Sequence, residues 1–128
     1  DGPNTWRRSI YVFMRRSMRV PFFEVFDVPD AMQSRGVREL TTVPTQALML
    51  LNNEFVRSQA SHFAESIKKN VGESDIPKLI TEAYWRALSR APTELEITAS
   101  NDLLSKDGQS LENLCHVLFT LNEFCYVD

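Results

Sequence analysis

The stretch T-T-V-P-T-Q-A-L-M-L-L-N-N-E-F-V, Thr41 to Val56, is where an arginine-rich front half gives way to a helix-patterned back half. Thr41 or Thr42 can cap a helix through its hydroxyl, and Pro44 is tolerated in a first turn, where its missing N–H has no partner to lose. The helix so opened reaches about Leu51. Its run Ala47-Leu48-Met49-Leu50-Leu51 is apolar all round, which predicts a helix buried on every side and makes it the candidate centre of the core. Asn52-Asn53 breaks it, and either asparagine can cap the next helix, Glu54 to about Asn70.

Downstream the helical period continues. The second helix has a stripe at Val56, Ala60, Phe63, Ala64 and Ile67, opposed by Arg57, Ser61, Glu65, Lys68 and Lys69, so one face turns inward. Gly72 stands at the C-terminal cap position. Ser74 or Asp75 caps the third helix, with Pro77 in its first turn. Ile76, Leu79, Ile80, Ala83, Tyr84, Ala87 and Leu88 form its inner face, Arg86 and Arg90 lie near its negative pole, and Pro92 forbids continuation. Thr93 and Glu96 make a capping box for a fourth, more exposed helix to about Ser105, with Leu95, Ala99 and Leu103 on one side. Lys106-Asp107-Gly108 turns the chain and Ser110 caps a last helix, Leu111 to Phe124. Leu114, Cys115, Leu118 and Leu121 point inward there, and Val117 and Phe119 widen the apolar arc.

Upstream the pattern is less regular. Asp1 to Thr5 reads as a tail, and its abrupt opening suggests a piece cut from a longer chain. Trp6 to Val20 carries apolar positions at helical spacing, with a competing alternation at Ile10, Val12 and Met14. Pro21 ends that element; Phe22, Phe23 and Phe26 sit one turn apart before Pro29, and Asp30 to Leu40 reads as a loop. The whole is an all-α chain: an irregular bundle of about five helices over 41–128, preceded by an arginine-rich arm over 1–40, in one domain spanning 1–128.

Charge divides along the same line. The total is -3, yet residues 1–38 hold seven Arg against four acids, while the remainder holds seven basic residues against thirteen acids. A chain of 128 residues buries about two-thirds of its unfolded surface, so one core suffices without staples. The longest apolar run, Ala47 to Leu51, is far too short to cross a bilayer, so no membrane span is expected. Cys115 and Cys125, if on one straight helix, stand ~15 Å apart against the roughly 4.4–6.8 Å a disulfide needs, and read as buried thiols.

Five motifs in order carry a family resemblance: R-R-S-I-Y at Arg7 to Tyr11, F-D-V-P-D at Phe26 to Asp30, T-T-V-P-T-Q-A-L-M-L-L-N at Thr41 to Asn52, A-L-S-R-A-P-T at Ala87 to Thr93, and L-N-E-F-C-Y-V-D at Leu121 to Asp128. Together they resemble the C-terminal part of the planctomycete domain of unknown function 1553, also called the Planctomycete PSD domain. The resemblance implies an exported protein, periplasmic or at the cell surface, in which this domain follows other domains of the same polypeptide, often with a cytochrome c-like one. It implies that the chain is the C-terminal half of a larger domain. The family has no established activity and lends no catalytic residues.

The residues offer three chemistries, each beside a blander alternative. Asp27 and Asp30, with Glu24, form an acidic cluster able to do general acid and base work on a polysaccharide if their environments separate their pKa values; the structural alternative caps turns beside Pro29 and pairs with Arg8, Arg16 or Arg35. Arg7, Arg8, Arg15, Arg16 and Arg19, among Trp6, Tyr11 and Phe13, resemble an anionic-polymer surface, but the acidic total and the absence of Lys argue against nucleic acid. Gln46 and Asn52 flank the apolar helix as binding candidates whose simpler role is to satisfy backbone groups. Haem attachment needs C-x-x-C-H, and Glu112 stands where the first cysteine should be before Cys115-His116, so no cofactor is expected. His62 and Glu65 lie one turn apart but lack a third ligand, so no metal is expected. The expectation is a non-catalytic interaction or scaffold module, with a polysaccharide-degrading part using Asp27 and Asp30 as its first rival and anionic-polymer binding by the arm as its second.

Overall fold

Asn53 separates the first two helices and shows how locally this chain is punctuated. Its Oδ1 accepts from the backbone N–H of Phe55 at 2.9 Å and of Val56 at 3.4 Å, while its backbone turns extended, at φ -76 and ψ 123. Those two N–H groups are orphans of the first helical turn, so the side chain supplies what the backbone there lacks.

The computed structural model describes residues 44–72, 74–105 and 111–126, together with Tyr11, Phe23, Val25, Phe26 and Gly36. Among them are six α-helices and no strand: α1 (Pro44–Asn52), α2 (Glu54–Val71), α3 (Ile76–Leu88), α4 (Glu94–Ser105), α5 (Leu111–Thr120) and α6 (Asn122–Cys125). The all-α expectation holds. The chain divides into two compact units, Asp1–Gln46 and Ala47–Asp128, with the boundary inside α1. Of the first unit, Phe23 and Val25 are helical and Phe26 lies in a turn. Gln46 is buried there, its Nε2 donating to the Val25 carbonyl at 2.9 Å. Thr41, Thr42, the Trp6 to Val20 element save Tyr11, the Asp30 to Leu40 loop save Gly36, and the turn and cap at Lys106 to Ser110 lie outside the described residues.

The second unit is built around α2, α3 and α5. Ala60, Ala64 and Ile67 of α2 meet Leu79, Ile80, Ala83 and Tyr84 of α3 and Leu111, Leu114, Cys115 and Leu118 of α5, all buried. The pair α2 and α5 shares the longest contact, because two alanines on α2 let the backbones approach. The caps fall where the residue types demand them. Gly72 takes φ +87 with its N–H on Lys68 O at 2.8 Å, and Asp75 accepts from Lys78 N–H at 3.2 Å. Ser89 closes α3 in the left-handed region, at φ 57 and ψ 26.

Four expectations are corrected. First, α1 is not the centre of the core: Leu48 is 60% exposed and Leu51 50%, Met49 and Leu50 are half-buried, and the only buried residue of the helix is Gln46. An apolar run signals burial on all sides only when neighbours exist on all sides, and the packing that excludes water lies one helix later. Second, Leu95 (82% exposed) and Ala99 face outward on α4, and the inner face is Ile97, Ser100, Leu103 and Leu104. Two apolar stripes competed at helical spacing, and the one abutting α3 and α5 prevailed. Third, Ile76 at the head of α3 and Val117 on α5 are exposed rather than inward.

The fourth correction concerns the last helix, which breaks into α5 and α6. Thr120 Oγ1 donates back to Val117 O at 2.7 Å, Leu121 N–H bonds the nearer Leu118 O at 3.2 Å, and Leu121 turns extended with ψ 142. A hydroxyl competing for a ladder carbonyl weakens the last turn. The redirected chain then stacks Phe124 on Phe119, centroids 4.8 Å apart, and Phe119 meets Phe63 at 5.3 Å. Both cysteines are free, Cys115 buried and Cys125 half-buried.

Candidate functional site

Two helical stripes face each other across a groove in the second unit. Glu54, Arg57, Ser58 and Ser61 come from α2, Glu112, Asn113 and His116 from α5, and Asn52 closes the end; the groove encloses about 530 Å³. Spacing explains the membership. Glu54, Ser58 and Ser61 share one side of α2, and Glu112 and His116 are one turn apart on α5.

Hydrogen bonds fix both ends of the groove. Ser61 Oγ donates to Glu112 Oε2 at 2.9 Å, and His116 Nε2 lies 3.1 Å from Leu50 O. The second contact holds the α1 end against α5, with the imidazole as donor, because a carbonyl only accepts. Ser61 and His116 are thereby committed: the Ser61 hydroxyl points at a carboxylate rather than an imidazole, and the imidazole nitrogen is spent on backbone. The groove can bind polar groups, but it does not assemble a serine–histidine relay. Among the described residues Arg57 makes no ion pair or hydrogen bond through its guanidinium, and neither does the Glu54 carboxylate, although both line the groove.

A second polar cluster is structural. The Arg90 guanidinium donates to Glu96 through Nη1 at 2.9 Å and Nη2 at 2.7 Å, and to Glu123 through Nε at 2.7 Å and Nη2 at 2.8 Å. Its carbon lies 5.7 Å from the Tyr84 ring centre. The Thr93–Glu96 capping box is present, with Thr93 N–H donating to Glu96 Oε2 at 2.7 Å and Glu96 N–H to Thr93 Oγ1 at 3.4 Å. The guanidinium, helped by Thr93, pulls the Glu96 carboxyl down to about 2, and Arg90 also lowers Glu123; Arg90 itself is raised by the two carboxylates. Burial first, and the Glu112 charge second, push the Cys115 thiol up to about 12.

Of the binding candidates read from the sequence, Asn52 lines the groove, with Nδ2 donating to Leu48 O at 3.0 Å, and Gln46 is buried on Val25 O. Both satisfy backbone carbonyls. Asp27, Asp30, Arg7, Arg8, Arg15 and Arg16 lie outside the described residues. Among the described residues no group of three or more His, Cys, Asp or Glu is placed to hold a metal ion, and no helix is long and apolar enough to cross a membrane. Sequence reasoning missed Ser61, Glu112 and His116 as a group. Only the one-turn spacing of Glu112 and His116 signalled a shared face; their meeting with Ser61 is tertiary.

A sequence model of PSD1, a protein of unknown function (DUF1553), matches residues 1–104. The chain belongs to that family. No curated protein and no solved structure matches it. Four of the five motifs of this DUF1553 chain fall within the matched span, while Leu121 to Asp128 and the α5 wall of the groove lie beyond it.

Proposed function

We propose that this domain is a non-catalytic interaction module of an exported multidomain protein, working by contact with protein rather than by chemistry on a substrate. The observation that carries the reading is the exposure of α1. The family motif T-T-V-P-T-Q-A-L-M-L-L-N places Leu48 and Leu51 one turn apart on a helix where both are at least half exposed, and Phe55 follows at 51%. Large apolar side chains gathered over eight positions cost solvation energy unless something covers them. The groove agrees, since Ser61 and His116 hold helices together instead of serving a reaction.

Hydroxyl-radical footprinting of the full-length protein in its native assembly tests the reading, with Leu95, 82% exposed, as the internal standard. Leu48, Leu51 and Phe55 are expected to be labelled several-fold more slowly than their exposure relative to Leu95 dictates. Labelling in proportion to exposure removes the proposal.

A further inference from the structure

We infer that the groove between α2 and α5 is a binding site for a small zwitterion, a free α-amino acid whose carboxylate meets Arg57 and whose ammonium meets Glu54. The site is separate from the exposed leucines of α1 and stands or falls without them.

The charges in the groove point to a ligand of both signs. Among the described residues the other arginines are matched within the chain: Arg86 Nε meets Glu82 at 2.7 Å, and Arg90 meets Glu96 and Glu123 at 2.7 Å each. Arg57 keeps its guanidinium unbonded, and Glu54, about one turn before it on α2, keeps its carboxylate unbonded, and both line the same groove. A guanidinium holds a carboxylate through two parallel N–H bonds, and a carboxylate takes an ammonium in a charge-assisted one. An anion alone would face Glu54, and a cation alone would face Arg57. A zwitterion satisfies the two together.

Spacing sets the size of the ligand. Side chains three apart on a helix stand ~5–6 Å apart at Cβ, so the two charges they grip lie close together, as they do on the single α-carbon of an amino acid. The groove's volume of about 530 Å³ leaves room for a side chain as well, and the opposite wall is polar, made of Glu112, Asn113 and His116. Glu112 uses Oε2 on Ser61 and has Oε1 left to accept. His116 donates through Nε2 to Leu50 O, which makes Nδ1 of the neutral imidazole an acceptor. Such a wall suits a side chain that donates hydrogen bonds. Both ends are also fixed before any ligand arrives, because Ser61 on Glu112 joins α2 to α5 and His116 on Leu50 O closes the α1 end, so little ordering opposes binding.

Amide NMR titration of the full chain with L-serine gives the test, beside N-acetyl-L-serine, which lacks the ammonium, and L-serinamide, which lacks the carboxylate. L-Serine is expected to shift the resonances of residues 54–61 and 112–116 saturably. Each blocked analogue should bind about tenfold more weakly, the loss of one hydrogen bond between charged groups. Substitution should erase these preferences one at a time. Arg57→Gln should bind L-serine no better than L-serinamide, and Glu54→Gln should bind it no better than N-acetyl-L-serine. Both positions are exposed, so unchanged helical circular dichroism certifies that each variant folds, and the analogue series on the wild type needs no variant at all. No saturable shift up to ~10 mM L-serine, shifts that fall outside the groove, or blocked analogues that bind as tightly as L-serine overturn the inference.

Discussion

Arg90 and Glu96 meet in a two-pronged contact, Nη1 to Oε2 at 2.9 Å and Nη2 to Oε1 at 2.7 Å, which joins the segment after α3 to the first turn of α4. Because the same guanidinium reaches Glu123 on α6, one side chain ties the end of α3 to α4 and to α6. The ion pair sets how the fold responds to acid. The Glu96 carboxyl is held at about 2 against an ordinary 4.5, so its contribution is fully present above 4.5 and disappears as pH falls towards 2. Melting temperature measured across that window should decline with a limb that Glu96→Gln flattens. Arg90 is 34% exposed, so added salt should shrink the same limb. An acid limb indifferent to Glu96→Gln contradicts this account.

The core lies between α2, α3 and α5, and substitution energies should map it. Ile80 is fully buried, so Ile80→Ala should cost about 3 kcal/mol in urea denaturation, whereas Leu95→Ala should stay within about 0.5 kcal/mol. Equal costs at the two sites contradict the orientation of α4.

Ser89 sits at φ 57, a region where an L-residue pays for its Cβ. Ser89→Gly should therefore raise unfolding free energy by about 0.5–1 kcal/mol, and Ser89→Val should lower it by about 1 kcal/mol. A reversed order in denaturation midpoints rules out the left-handed cap.

Cys115, buried and with its thiol pushed up to about 12, stays protonated at neutral pH and should resist alkylating reagents until the protein unfolds. The half-buried Cys125 should react first. Mass spectrometry of a timed iodoacetamide reaction at pH 8 reads the order directly.

What could be read from the sequence was what depends on near neighbours. Asn53, Gly72, Asp75 and the Thr93–Glu96 box act through bonds spanning two to four residues, so their residue types alone announce the helix ends. The α2 stripe was legible because its polar face left one orientation. Ala47 to Leu51 misled because a run apolar on every side contains no direction, and α4 misled because its two stripes are nearly equal. The α5 break turns on a single hydroxyl, that of Thr120, whose choice between solvent and Val117 O no periodicity records. The groove was invisible for a plainer reason: Ser61 and Glu112 are 51 positions apart. Family membership could be read because it is carried by ordered motifs and needs no geometry.

Asn53 has a mechanical consequence. Its N–H bonds Met49 O at 2.9 Å and its own carbonyl accepts from Arg57 N–H at 3.2 Å, while between them its side chain takes the Phe55 and Val56 N–H groups, so one residue closes α1 and opens α2. The direction of α1 relative to α2 turns at one backbone torsion, the ψ of 123 at Asn53, and is held there by His116 on Leu50 O. A rotation of that torsion towards the helical range would line α1 up with α2 and break the contact between His116 and Leu50 O, so the α1 end of the groove closes only while Asn53 stays extended.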